Sequence, residues 1–130
     1  MRFSQLSRTV VTFRGPLLAH PFVRWCAVAS MTFLAGAWIA ILAIPNSTAD
    51  ESIIVHYTTT FGIDALGSWT DLMRLPLTGT VLLVVNCGLA RFLARQDHVD
   101  APIVLMVASV VLEFAVLIGA LLLLRMNNGL

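Results

Sequence analysis

The sequence contains no lysine and little charge of any kind. Its eight basic residues are all arginine, seven residues are acidic, and charged side chains make up 12% of the 130 residues. A soluble domain carries about 25%, so too few polar groups are present to coat a water-soluble globule of this size. The net charge of +1 and the lack of a basic stripe exclude a nucleic-acid partner, because nothing is available to neutralise phosphates. Cysteine is scarce too. Cys26 and Cys87 each fall in an apolar run, where a free thiol packs as a small hydrophobe. Both are expected near the inner side of the membrane, which argues against a disulfide. No CxxC motif and no Cys/His cluster points to a metal or haem. A glycine-rich nucleotide loop, HExxH and GxSxG are also missing. No catalytic residue, metal or cofactor is therefore expected.

What the chain has in place of charge is long apolar runs. Hydrophobic residues make up 58% and the mean hydropathy is +0.90. About 20 apolar residues at ~1.5 Å rise cross the ~30 Å hydrocarbon core. Three stretches qualify: 25–44, 72–94 and 102–124. The expected fold is an all-α membrane protein with three transmembrane helices in a single domain. A basic segment, 1–24, precedes the first span. Phe3, Leu6, Val10, Phe13 and Leu17 recur there at helical spacing, with Arg8 and Arg14 off the stripe. That pattern suits a helix lying in the headgroup layer; a disordered basic tail is the other reading. A cleaved signal peptide, with Ser47-Thr48-Ala49 at its end, competes with the first span, but the apolar run exceeds the usual length.

The outer loop, 45–71, is the sizeable polar segment. Ser52 to Thr60 is rich in β-branched residues and reads as a strand, with Gly62 and Gly67 supplying turns. Ser68, with Asp71 three residues on, resembles a helix N-cap, and Trp69 suits the headgroups. Pro76 lies early in the second span, where its missing N–H costs least or where it kinks the helix. The inner link, 95–101, is short enough to force antiparallel neighbours, and 125–130 forms an outer tail. With the N-terminus inside, Arg2, Arg8, Arg14, Arg24, Arg91 and Arg95 face the cytoplasm, against Arg74 and Arg125 outside. This bias predicts a cytoplasmic N-terminus and an external C-terminus in a bacterial cytoplasmic membrane.

Two features could carry function within the spans. Glu113 falls near the middle of the third run, where an acid costs a few kcal/mol (~2.5–3.5 on insertion scales) and must face protein or water. Asn86 lies at similar depth on the antiparallel neighbour, and Ser109 is one turn before Glu113 on the same face. The three could act as polar glue between helices, or Glu113 could handle protons or a solute. Thr32, Gly36 and Ala40, and separately Ala115 and Gly119, form small-residue ridges that let another helix approach.

In the outer loop, Ile54-Val55-His56-Tyr57, Gly62-Ile63-Asp64, Gly67-Ser68-Trp69, Leu75-Pro76-Leu77 and Asn86 together resemble a family of small bacterial integral membrane proteins. More distantly they are similar to the domain of unknown function in Sdp-type toxin-immunity membrane proteins. His56, Gly62 and Asp64 match the motif, and Thr58 stands where the family usually has asparagine. The resemblance implies a membrane protein with an ordered outer loop and no known catalytic activity. The chain is thus expected to be non-enzymatic. It would contact the lipid bilayer and other membrane subunits as an accessory protein, or recognise a peptide or toxin through the His56–Asp64 loop, or handle protons at Glu113.

Overall fold

The computed structural model describes residues 20–45, 53–58, 60, 62–96 and 100–128. Residues 1–19, which hold most of the expected interfacial helix, lie outside them. The element order is α1 (Pro21–Leu42), β1 (Ile53–Thr58), β2 (Gly62–Gly67), α2 (Trp69–Leu72), α3 (Arg74–Arg95) and α4 (Asp100–Asn127). Three of the helices are long and apolar enough to cross a membrane. The fold is all-α apart from one small hairpin.

Prolines set the helix ends. Pro21 occupies the first turn of α1, where its fixed φ fits and its missing N–H is an orphan anyway. The helix therefore starts four residues before the apolar run. It stops ahead of Pro45, with Ala43 N–H donating to the Ile39 carbonyl at 3.0 Å. Pro76 acts differently. It has no N–H to give the Leu72 carbonyl, so the helix breaks at Met73 into α2 and α3, and Leu77 N–H resumes the ladder on the Met73 carbonyl at 3.1 Å. The Asp71 carboxylate reaches back to accept the Ser68 N–H at 2.9 Å and the Ser68 hydroxyl at 2.8 Å, fixing the start of α2. The second span thus begins earlier than residue 72, through a broken first turn.

Within the polar segment, Ile53–Thr58 and Gly62–Gly67 pair as a hairpin. Gly62 and Gly67 do not form turns: they begin and end β2, paired with Thr58 and Ile53 across an antiparallel ladder. His56 pairs with Ala65 and Tyr57 with Ile63, leaving Val55 on one strand and Asp64 on the other without a direct partner. These are two offsetting bulges, each of which bends its strand locally.

α4 is the central helix. It packs along both α1 and α3, while α1 and α3 touch each other much less. Two apolar clusters hold the bundle. The one at the hairpin end comprises Ala37, Ala40, Ile41, Ile44, Ile53, Leu72 and Ala120; the one at the opposite end comprises Val23, Cys26, Ala90 and Met106. Alanine at the seams brings the backbones close, which is how helices gain packing energy when lipid is as apolar as their side chains. Phe33 and Phe114 stack at a tilt across the α1–α4 seam, ring centres 5.4 Å apart. Large apolar side chains such as Trp25, Met31, Ile39, Val84, Val104 and Val111 point outward, as expected where the solvent is hydrocarbon.

Candidate functional site

Between the two apolar clusters lies a polar layer. Ser30 on α1 and Ser109 and Glu113 on α4 are the buried polar residues among those described. They are placed there by sequence spacing: Ser30 falls between Cys26 and Ala37, and Ser109 and Glu113 fall between Met106 and Ala120. On α3 the same depth is occupied by Gly79, Leu83 and Asn86, because α3 runs antiparallel to α4.

Asn86 donates from Nδ2 to Ser109 Oγ at 3.0 Å, and Ser109 Oγ donates to the Leu105 carbonyl at 3.0 Å. This chain links α3 to α4. Glu113 is not part of it. Its side chain is 1% exposed, and neither carboxyl oxygen has a hydrogen-bond partner among the described residues. Ser30 Oγ is likewise buried without a partner. One turn farther out, Trp38 Nε1 donates to Thr80 Oγ1 at 3.2 Å, and Thr80 Oγ1 donates back to the Pro76 carbonyl at 2.9 Å, joining α1 to α3.

The carboxyl has room because residue 79 is glycine. A Cβ at Gly79 would sit 2.7 Å from Glu113 Oε2, 3.3 Å from Leu34 Cδ1 and 3.4 Å from Val116 Cγ1. So Glu113 lies under the bare α3 backbone, with Leu34 of α1 against the same spot. An unpaired polar group in such surroundings costs free energy, and an unpaired charge costs far more.

The small-residue ridges behave as helix geometry requires. A step of four residues turns ~40° past a full turn, so a ridge at that spacing drifts around the helix. Thr32 is exposed, its hydroxyl given to the Val28 carbonyl at 2.9 Å; Gly36 is half-buried against Leu117; Ala40 is inside the hairpin-end cluster. Ala115 is likewise exposed, whereas Gly119 lies against Leu75. Part of each ridge is therefore used within the bundle.

At the hairpin end of the bundle, the backbone places His56 and Asp64 one register step apart, with Tyr57 beside His56 in sequence. Gly67 and Trp69 follow at the return to the bundle. Trp69 Nε1 donates to the Ile44 carbonyl at 3.3 Å, satisfying an acceptor left open at the end of α1. Asn127, which nothing in the sequence singled out, holds the hairpin. Its Oδ1 accepts the Ile54 N–H and its Nδ2 donates to the Ile54 carbonyl, both at 3.0 Å. The side chain thereby acts as a short piece of neighbouring strand. Ser30, Thr80 and Trp38 were also passed over, although each is a hydrogen-bonding side chain inside an apolar run and could have been marked on that ground.

Among the described residues no cluster of three His, Cys, Asp or Glu could hold a metal ion, and Cys26 and Cys87 are free thiols. Comparison with protein-family models, with curated proteins and with solved structures gave no match.

Proposed function

We propose that the chain is a non-enzymatic, multi-pass protein of the bacterial cytoplasmic membrane that packs against helices of another membrane protein as an accessory subunit. The outward face of α1 carries this reading. Val28, Met31, Thr32, Ala35, Gly36 and Ile39 form a shallow apolar groove lined by α1 alone. Small residues at its centre, flanked by larger ones, let a second helix approach closely. The arginine bias supports a cytoplasmic N-terminus and an external C-terminus, with the hairpin outside.

The structure guides the choice of test residue. Gly36 is unsuitable, since its missing Cβ already makes room for Leu117 at 3.0 Å. Ala35 is exposed and free of that role. Co-purification from native membranes in mild detergent should recover a partner with the wild-type chain, and Ala35→Leu should reduce the recovery with the helical circular dichroism unchanged. A monodisperse lone protein from native membranes would refute an accessory role.

A second reading treats the hairpin as a recognition platform for a peptide or toxin, as the resemblance to Sdp-type immunity proteins suggests. The clamp of Asn127 on Ile54 favours it, because it gives the loop a fixed seat. His56→Ala combined with Asp64→Ala should abolish protection of toxin-exposed cells under this reading and leave partner recovery unchanged.

A further inference from the structure

We propose that Glu113 is a proton-binding site in the middle of the bundle. It holds its proton while the helices are closed and releases it when α1 and α3 part at Leu34 and Gly79. The inference is independent of whether a partner docks on α1.

Among the described residues the carboxyl has no compensating group. Among the described residues the three helices carry their charges near their ends: Arg24 on α1; Arg74, Arg91 and Arg95 on α3; Asp100 and Arg125 on α4. Along α4, at ~1.5 Å per residue, Asp100 and Arg125 are roughly 20 Å and 18 Å from Glu113. The other titratable groups on the facing helices are Cys26 and Cys87, each about 12 Å along its helix from Leu34 and Gly79 respectively. What meets the carboxyl directly is the bare backbone of Gly79, and Leu34 and Val116 crowd the same spot. No donor and no cation is there to stabilise an anion, so the closed site holds the neutral acid.

A monovalent metal ion fits less well. It needs several oxygens, and the one other unpartnered buried oxygen of a side chain among the described residues is that of Ser30. The route for exchange is set by the packing. α4 holds α1 and α3 on either side, but α1 and α3 meet only lightly, and Glu113 lies where they meet. Separating them there moves Leu34 off the carboxyl without breaking either seam with α4. The apolar clusters on both sides of the layer keep the ends of the bundle closed.

Dicyclohexylcarbodiimide reads this state directly. A protonated carboxyl adds across one C=N bond of the reagent, its proton going to nitrogen; the acyl group then shifts from oxygen to nitrogen to give a stable N-acylurea with no leaving group. The full chain, reconstituted in phosphatidylcholine vesicles, should be labelled at Glu113, as read by peptide mass spectrometry. A water-soluble carbodiimide should leave Glu113 unlabelled. The rate should fall about tenfold per pH unit above the titration midpoint, and that midpoint should move to lower pH in Leu34→Ala, where the carboxyl is opened to water. Glu113→Gln should lose the label and keep its helical circular dichroism. If that variant does not fold, the pH and Leu34→Ala arms still decide. A rate that is flat from acidic to alkaline buffer in both the wild type and Leu34→Ala would overturn the proposal. So would an unchanged midpoint in Leu34→Ala, or labelling that occurs only after unfolding in SDS.

Discussion

Adding one methyl group at position 79 tests whether the Glu113 carboxyl lies against the α3 backbone. In Gly79→Ala the new Cβ would lie 2.7 Å from Oε2 of Glu113, closer than non-bonded atoms tolerate, with Leu34 and Val116 at 3.3 and 3.4 Å on the same point. The carboxyl must move, and those two side chains limit where it can go. Overpacking of this kind costs about 1–3 kcal/mol. Alanine offsets part of that, because it is favoured over glycine in a helix by about 1 kcal/mol. The net effect in the wild-type background is a loss of about 1 kcal/mol by these two magnitudes. In a Glu113→Ala background the 2.7 Å contact is gone, Leu34 and Val116 need give only slightly into the vacated space, and a gain of up to about 1 kcal/mol remains. The two substitutions should therefore couple by about 2 kcal/mol, inside the range seen for residues in contact. Unfolding of the detergent-solubilised protein by SDS titration, followed by helical circular dichroism, measures all four corners of the cycle. Gly88→Ala is the control: nothing lies within 4 Å of its Cβ position, so it should stabilise by up to about 1 kcal/mol in either background. If Gly79→Ala has the same effect with and without the Glu113 side chain, the carboxyl does not lie against position 79.

Two further outcomes follow from hydrogen bonds between elements. Asn127→Ala should free the Ile54 N–H and carbonyl together; at about 0.5–1.5 kcal/mol per bond, the hairpin should loosen while the bundle holds. Hydrogen exchange at the Ile54 amide should accelerate with α4 still protected, and an unchanged rate would mean that the clamp is idle. Asn86→Ala and Ser109→Ala should couple by about 0.6 kcal/mol, and by no more than about 1.7, the range found for polar pairs in membrane bundles. A coupling near zero in the same SDS assay would leave their bond without energetic consequence.

The sequence by itself determined that three helices long enough for a bilayer would form, and roughly where. Apolar runs of 25–44, 72–94 and 102–124 need no tertiary partner to declare themselves, because lipid rewards burial along the whole length of a helix. The Ser68–Asp71 helix start was legible for the same reason: a cap is a contact between residues three apart. Pro76 was read as a possible kink, and the break at Met73 follows from its missing N–H. The hairpin was half legible. One strand announced itself between Ser52 and Thr60, but Gly62 and Gly67 have the look of turn residues, since the ordering of β2 depends on pairing with β1, which Asn127 of α4 holds.

Tertiary structure decided the polar layer. Composition put Asn86, Ser109 and Glu113 at one depth, but depth leaves rotation about each helix axis open. Rotation joined Asn86 to Ser109 and turned Glu113 toward Gly79 and Leu34. It also sent Ala40 into the core while leaving Thr32 outside, because a four-residue step does not close a turn of 3.6 residues. Asn127 is the extreme case. It meets Ile54 across a sequence separation of 73 residues, and a contact of that range comes from how α4 and the hairpin pack, which no local pattern records.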